Sequence, residues 1–481
     1  MDIRQHKASR NRVLSQDQIQ LVHKHTLELL ERTGVWVQSE EALEVLGNAK
    51  CDVRDPKGVK IPRKLVEEAI EAAPKSIKVY DRKGRLAMTL QEDACYYGTG
   101  SDCPYHIELS SGQRRSCTKE DVGNLAQFCD ALPNIDFVMS MGIAKDTPTG
   151  TSFVHQYEAM LLNTTKPVIV TGHGRRDMKA IIDMAAAATG GIGAVMKCPP
   201  LILYSEPFSP LTHTEMGVVK CLVCCEYEVP FIYIPSPMMG GSGPATIAGT
   251  LTQANAECLS GLVIFQARHP GAKFIYGGDA TVFDMRHTIF SYGAPELNLL
   301  NAALADLAHF YRLPFFCIAG STDSKVLDAQ AGIEYALSLY LATLNGCNLI
   351  HDCGYLESGL TSSFESILMS DEIISMVKHM LRPLEVTGET IALKVIDEVG
   401  TSGTYLTHPH TLENFRKSMW FPRFFDRARF DNWEQQGSKA LHQRLNEEAQ
   451  KILAAHPTPK LPQAAVKKID RIVENHVPDV Q

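Results

Sequence analysis

The sequence predicts an α/β chain built on a (β/α)8, or TIM, barrel, with a helical extension before it and a helical appendage after it. Three observations carry this reading. Eight short apolar runs follow one another from about residue 95. A helical pattern follows each run. Nearly every run ends in Gly, Pro, Ser, Asp or Glu. Continuous apolar strands joined by crossover helices imply a parallel sheet, and eight such units close most simply into a barrel. A doubly wound sheet is the alternative, but no Gly-x-Gly-x-x-Gly follows the first run.

The elements are predicted in order as follows. Residues 1–90 form the N-terminal helical extension. Ser15 caps an amphipathic stretch that stops at Gly34, and a second helix runs between Pro62 and Pro74. Residues 91–385 form the barrel, with strands at 95–102, 136–143, 167–174, 200–210, 230–238, 273–280, 314–323 and 348–355. The intervening segments have helical spacing, for example TKEDVGNLAQFCDAL and DAQAGIEYALSLYLATLNG. Residues 386–481 form the C-terminal appendage. Its aromatic- and Arg-rich stretch, HPHTLENFRKSMWFPRFFDRARFDNW, reads as structural, either wrapping the barrel or making an oligomer contact.

Composition narrows the partners. The 481 residues are 44% hydrophobic and 21% charged, with a net charge of −8. A nucleic-acid backbone is repelled by such a chain, and no basic run stands out. No apolar stretch is long enough to span a bilayer, and MDIRQHKASR lacks the apolar core of a signal peptide, so a cytoplasmic location is expected. The 13 cysteines are scattered and expected to be reduced. Cys221, Cys224 and Cys225 cluster on one helix, but without a second Cys or His pair, so core packing is favoured over a metal site.

Barrel enzymes build their sites at the C-terminal ends of the strands. Phosphate loops, nucleophile elbows and metal-spaced histidines are missing there. Tyr96, Tyr97, Tyr105, Glu206, Phe208, Phe283, His351, Tyr355 and Phe364 remain. Aromatic faces with a few carboxylates suit a cation that cannot donate hydrogen bonds, such as a quaternary ammonium. Tyr97 is expected to wall this box, with neighbouring Tyr96 pointing the other way. His351 is placed near a substrate carboxylate. Tyr355 and Phe364 close the box, and Glu206 and Asp279, with Asp323, supply negative charge. Arg312 and Asn348 fall at the opposite end of the barrel by topology.

Several segments together resemble the trimethylamine methyltransferase family of corrinoid-dependent enzymes. They are YYGTGSDCPYHIELSSGQRRSCTKEDV, ILYSEPFSPL, GGSGPATIAGTLTQANAE, GSTDSKVLDAQAGIEYAL and the aromatic tail quoted above. The resemblance covers nearly the whole chain. It implies methyl transfer from nitrogen to the cobalt of a separate corrinoid-binding protein, with no tightly bound cofactor and no metal in the chain itself. A homo-oligomer is expected. Trimethylamine-specific members carry pyrrolysine, whereas every residue here is a standard one. The resemblance is therefore to the non-pyrrolysine members, whose substrates are quaternary amines. Glycine betaine is the expected substrate; proline betaine, carnitine and γ-butyrobetaine are alternatives, as is a non-catalytic betaine-binding role. Gly332 is the residue suggested for the pyrrolysine position.

Overall fold

The computed structural model describes residues 10–458 and 460–479. Eight parallel strands form its centre. They are β1 Tyr96–Tyr97, β2 at Phe137 and Val138, β3 Val168–Val170, β4 Leu201–Ser205, β5 Phe231–Tyr233, β6 Phe274–Gly278, β7 Phe315–Ile318 and β8 Leu349–His351. Seven make a continuous parallel sheet in the order β1-β8-β7-β6-β5-β4-β3. The eighth, β2, is reduced to two bridges, Gly98 to Phe137 and Val138 to Val168, which join β1 to β3 and close the ring. The expected run at 136–143 stops early because Met141 adopts a left-handed φ of 53°.

Among the described residues, three α-helices precede the barrel: α1 Gln16–Arg32, α2 Glu40–Asn48 and α3 Arg63–Ala72. The Ser15 side chain accepts from the Gln18 amide, and the Gln18 side chain returns the bond, closing a capping box at α1. The helices around the ring are α4 Lys119–Ala131, α5 Ser152–Asn163, α6 Arg175–Thr189, a short α7 Ile192–Lys197, α8 Glu215–Glu226, α9 Ile247–Arg268, α10 Pro295–Tyr311, α11 Ala329–Leu344 and α12 Phe364–Met380.

The extension is not wholly helical. Ile77–Tyr80 and Leu86–Leu90 pair as an antiparallel hairpin. Its alternate residues Ile77, Val79, Met88 and Leu90 enter the same buried cluster as the lumen-facing residues Phe137, Ile169, Ile202, Ile232, Ile275, Phe316 and Leu349. The hairpin plugs the N-terminal end of the barrel. The lumen is therefore packed from below and accessible only from the C-terminal end of the strands. At Gly98, a Cβ would lie 2.2 Å from the Phe137 ring, so glycine lets that ring fill the lumen.

After α12 come α13 Gly388–Ile391, α14 Leu393–Val399, α15 Pro409–Ser418, α16 Phe430–Gln435, α17 Leu441–Ala455 and α18 Gln463–Glu474. α17 packs along α12 and α4, where Asn446 Nδ2 donates to Leu109 O at 2.9 Å and to Glu365 Oε1 at 2.7 Å. α18 packs on α6 and brings His476 Nε2 to 2.8 Å from Asp177 Oδ1. No helix among the described residues is long and apolar enough to cross a membrane.

Candidate active site at the barrel mouth

Side-chain alternation decides what faces the lumen. On β4, Ile202 lies in the lumen core, so Tyr204 and Glu206, two and four residues on, follow on the same face. The same step from Ile275 leads to Asp279, and from Leu349 to His351. Phe316 on β7 completes the wall: its ring stacks on His351 at 4.0 Å and 13°. Tyr204 stands 6.5 Å from the His351 ring and 6.0 Å from that of Phe316. These residues form an aromatic floor.

Carboxylates stand above it. The Tyr204 hydroxyl donates to Glu206 Oε2 at 3.4 Å. The Glu206 side chain is open to water yet surrounded by protein, as expected of a group lining an internal cavity. Burial pushes its pKa up, with the Asp102 charge adding and Lys220 opposing. Asp279 is buried, and its pKa is raised well above the ordinary carboxylate value, first by burial and then by Asp352 and Glu206. Ser236 Oγ donates to Asp279 Oδ2 at 3.3 Å. Lys220, the nearby ammonium, is held by Thr171 Oγ1 at 2.9 Å and Gly172 O at 3.2 Å.

The loops contribute the remaining wall. Asp102 and Asp352 sit after β1 and β8 with left-handed φ of 69° and 70°. Aspartate tolerates that region better than most residues. Between them, a Cβ on Gly100 would strike both Asp352 Oδ1 and the Tyr355 ring. Tyr355 donates its hydroxyl to Ser101 O and meets Tyr292 edge-on at 6.1 Å. Tyr292 comes from the loop after β6. Asp323 holds that loop by accepting from the Tyr292 amide at 2.8 Å and from Ser291 Oγ.

Among the described residues, eight buried side-chain polar atoms have no hydrogen-bond partner, and five of them lie at or just beyond the C-terminal ends of barrel strands: Asp102 Oδ1, Ser140 Oγ, Asp279 Oδ1, Ser321 Oγ and His351 Nε2. Unpaired buried polar atoms are costly. Their concentration at one end of the barrel marks a surface shaped for a polar ligand.

The structure brings Glu206, Asp279, His351 and Tyr355 together. It does not bring Tyr97 or Phe364 to them. Tyr97 lies on the outer face of β1, fully buried, with its hydroxyl 2.9 Å from Thr343 Oγ1 and Lys378 Nζ 4.8 Å from its ring. The choice within the Tyr-Tyr pair is thus reversed. Tyr96 faces the lumen, but at the plugged end, where its hydroxyl pairs with the Thr89 backbone. Phe364 opens α12 and packs edge-on between His106 and Phe128, 5.2 Å from each, outside the barrel wall. The added Cβ of Gly332 would meet Met369 of α12 at 3.0 Å, so a side chain there points between helices and away from the mouth.

Other sequence candidates occupy the rim without entering the pocket. Tyr105 is covered by the Arg114 guanidinium at 3.5 Å, and Phe283 lines an adjoining groove of about 430 Å³. Arg312 pairs with Glu71, and Asn348 holds the backbone of Gln91, Glu92 and Ala94, both at the far end as expected. Cys221, Cys224 and Cys225 are buried along α8. Sequence reasoning missed Tyr204, Tyr292, Phe316, Asp102 and Asp352. Tyr204 carried a signal, since it shares the strand phase of Ile202 and Glu206. Tyr292 carried none.

The sequence profile of the trimethylamine methyltransferase family matches residues 2–478. The chain belongs to that family. It is a methyltransferase. A trimethylamine methyltransferase of Desulfitobacterium hafniense is 34% identical, covering 96% of this chain and 93% of the relative. A glycine betaine methyltransferase from another strain of that species is 31% identical, covering 93% and 94%. The fold is shared with the solved monomethylamine methyltransferase of Methanosarcina barkeri, at a TM-score of 0.52 and 11% identity over 94% of this chain and 90% of that one.

Proposed function

We propose that this methyltransferase takes a methyl group from a quaternary ammonium compound and gives it to the Co(I) centre of a corrinoid carried by a separate protein. The observation that carries the proposal is the lumen-facing pair Tyr204 and His351, the latter backed by the buried Phe316 ring, beneath Glu206 and Asp279. Ring faces attract a cation that has no N–H to donate, and the carboxylates supply the compensating charge.

The chemistry needs no activating residue. The cobalt lone pair forms the new bond to the methyl carbon as the carbon–nitrogen bond breaks. The bonding pair stays on nitrogen, and a neutral tertiary amine leaves. A tertiary amine substrate would instead expel an amide anion unless it were activated. A chain made only of standard residues is therefore suited to the quaternary substrate. The protein contributes position and field. Positive charge leaves the nitrogen in the transition state, so the cage must hold the cation without overbinding it.

Glycine betaine is the substrate we propose, with proline betaine, carnitine and γ-butyrobetaine as the alternatives. With its ammonium over Tyr204, its carboxylate is directed toward His351 Nε2, the unpaired nitrogen of the floor, with both ring nitrogens donating, Nδ1–H to Asp352 and Nε2–H to the substrate. The test combines purified protein, a reduced corrinoid protein and each candidate amine, and measures methyl-cobalt absorbance and the released amine. Glycine betaine is expected to yield dimethylglycine. Demethylation of trimethylamine with none of the betaines removes the quaternary-amine reading. Betaine binding without methyl transfer to any corrinoid makes the protein a sensor or carrier.

A further inference from the structure

Lys220 is a buried lysine without a counter-ion. It lies on α8, is 8% exposed, and among the described residues forms no ion pair. Its Nζ donates to Thr171 Oγ1 at 2.9 Å and to Gly172 O at 3.2 Å. An ammonium carries three N–H bonds, so one donor is left over. Lysine is almost never buried this deeply unless it is paired, because an uncompensated charge inside a protein is costly.

The ammonium sits at the mouth of the barrel. Ile169 faces the lumen, and Thr171 continues its phase. A Cβ on Gly172 would meet Asp177 of α6 at 3.0 Å, so position 172 faces outward and position 171 inward. One step past the Val170–Leu203 pair of β3 and β4, Thr171 stands beside Tyr204. A Cβ on Gly217 would lie 2.7 Å from Glu206 O, so the first turn of α8 is pressed against the end of β4. Lys220, one turn on, reaches in between β3 and β4. The carboxyl groups that face it are Glu206, beyond β4, and Asp102, in the loop after β1; its α8 neighbours Cys221 and Cys224 are thiols.

We infer that Lys220 is a specificity-determining residue: its uncompensated charge makes the mouth select a quaternary amine that carries its own carboxylate over one that does not. The inference rests on the quaternary-amine reading above. A bare cation seated over Tyr204 meets the neighbouring ammonium as repulsion alone. A zwitterion brings a negative group into the same water-poor space and offsets that repulsion. His351 Nε2 offers such a carboxylate a direct hydrogen bond, whereas Lys220 acts through its charge, which reaches farther than contact where little water intervenes. Discrimination then comes from a group set against the wrong ligand as much as from one that favours the right ligand.

The experiment measures, by calorimetry on the full chain, the affinity for glycine betaine and for betaine amide. The two have the same shape, but the second carries an uncharged amide in place of the carboxylate. Wild type is compared with Lys220→Met, which keeps the length of the side chain and removes its charge. The wild type is expected to prefer glycine betaine by roughly 10-fold or more. Lys220→Met should bind glycine betaine about 10-fold more weakly and betaine amide more tightly, which closes the gap. A purely structural role would weaken both. Equal binding of the two ligands by the wild type overturns the inference, and this comparison holds even where the variant fails to fold. Parallel weakening of both ligands in Lys220→Met also overturns it. A wild type that binds neither ligand overturns the quaternary-amine reading and the inference with it. A wild type that prefers glycine betaine, with the preference unchanged in Lys220→Met, overturns the inference alone.

Discussion

His351 lies flat on Phe316, ring centres 4.0 Å apart, with Nδ1 held 2.6 Å from Asp352 Oδ1 and Nε2 unpaired at the floor of the pocket. Stacking fixes the ring plane, and the aspartate fixes its rotation. Only Nε2 is left to meet a ligand. His351→Phe keeps the stacking and removes that nitrogen. Losing one hydrogen bond to a charged group costs about 1.5–3 kcal/mol, so kcat/KM for a betaine should fall roughly 10- to 100-fold; the melting temperature should fall as well, because buried Asp352 loses its Nδ1 partner. An unchanged kcat/KM would place the substrate carboxylate elsewhere.

Glu206 and Asp279 should link ligand binding to protons. Burial raises both pKa values, so the empty protein holds these carboxyls protonated to higher pH than the unfolded chain does. A bound cation favours the ionised forms. Binding should therefore tighten as pH rises through the folded pKa values and release protons, as calorimetry in buffers of different ionisation enthalpy would detect. The sign for stability is opposite. Above the usual carboxylate pKa the unfolded chain has released a proton that folded Asp279 retains, so this group destabilises the empty protein as pH rises. Asp279→Asn should raise the melting temperature by roughly 2 °C at neutral pH and weaken cation binding. A variant that melts earlier and binds equally well would remove Asp279 from the cage.

Tyr97 provides a negative control for the pocket. Its hydroxyl donates to Thr343 behind the barrel wall, and Thr343 donates onward to Leu339 O. Tyr97→Phe removes one buried hydrogen bond. Stability should fall by about 1 kcal/mol in urea melts, with KM for the amine unchanged. A selective rise in KM would return Tyr97 to the substrate wall.

Acid should destabilise the fold through two buried histidines. Burial lowers the pKa of His213 to about 3 and that of His106 to about 4. The unfolded chain takes up protons near the ordinary value of 6.5. Below that pH it binds more protons than the folded chain, so stability falls with acidification until the folded pKa values are reached. Each histidine contributes about 1.4 kcal/mol per pH unit over its window. His213 lies between the Tyr233 hydroxyl at 2.7 Å and Ser260 Oγ at 2.8 Å, and His213→Gln should remove its share of the slope between pH 6 and 4. An identical slope in wild type and variant would show that His213 does not carry this term.

The barrel was legible because its cause is local. Apolar runs at strand length, each followed by helical periodicity, determine a parallel sheet whatever their distance in the chain. Glu206, Asp279 and His351 were legible for a related reason: each follows an apolar strand, and the residues just beyond strand ends form the mouth. That every residue of the sequence is a standard one is likewise read from the sequence alone. Tertiary structure decided the rest. Which of Tyr96 and Tyr97 faces inward depends on a strand only two residues long, whose phase is set by pairing with β8. Phe364 was drawn into the α4–α12 contact by its helix. Tyr292 reached the pocket because Asp323, a neighbour only after folding, holds its loop. The plug at 77–90 is an ordinary hairpin until the ring exists to receive it. Alternation along a strand is written residue by residue, whereas phase, loop convergence and which end of the barrel is closed arise only when distant segments meet.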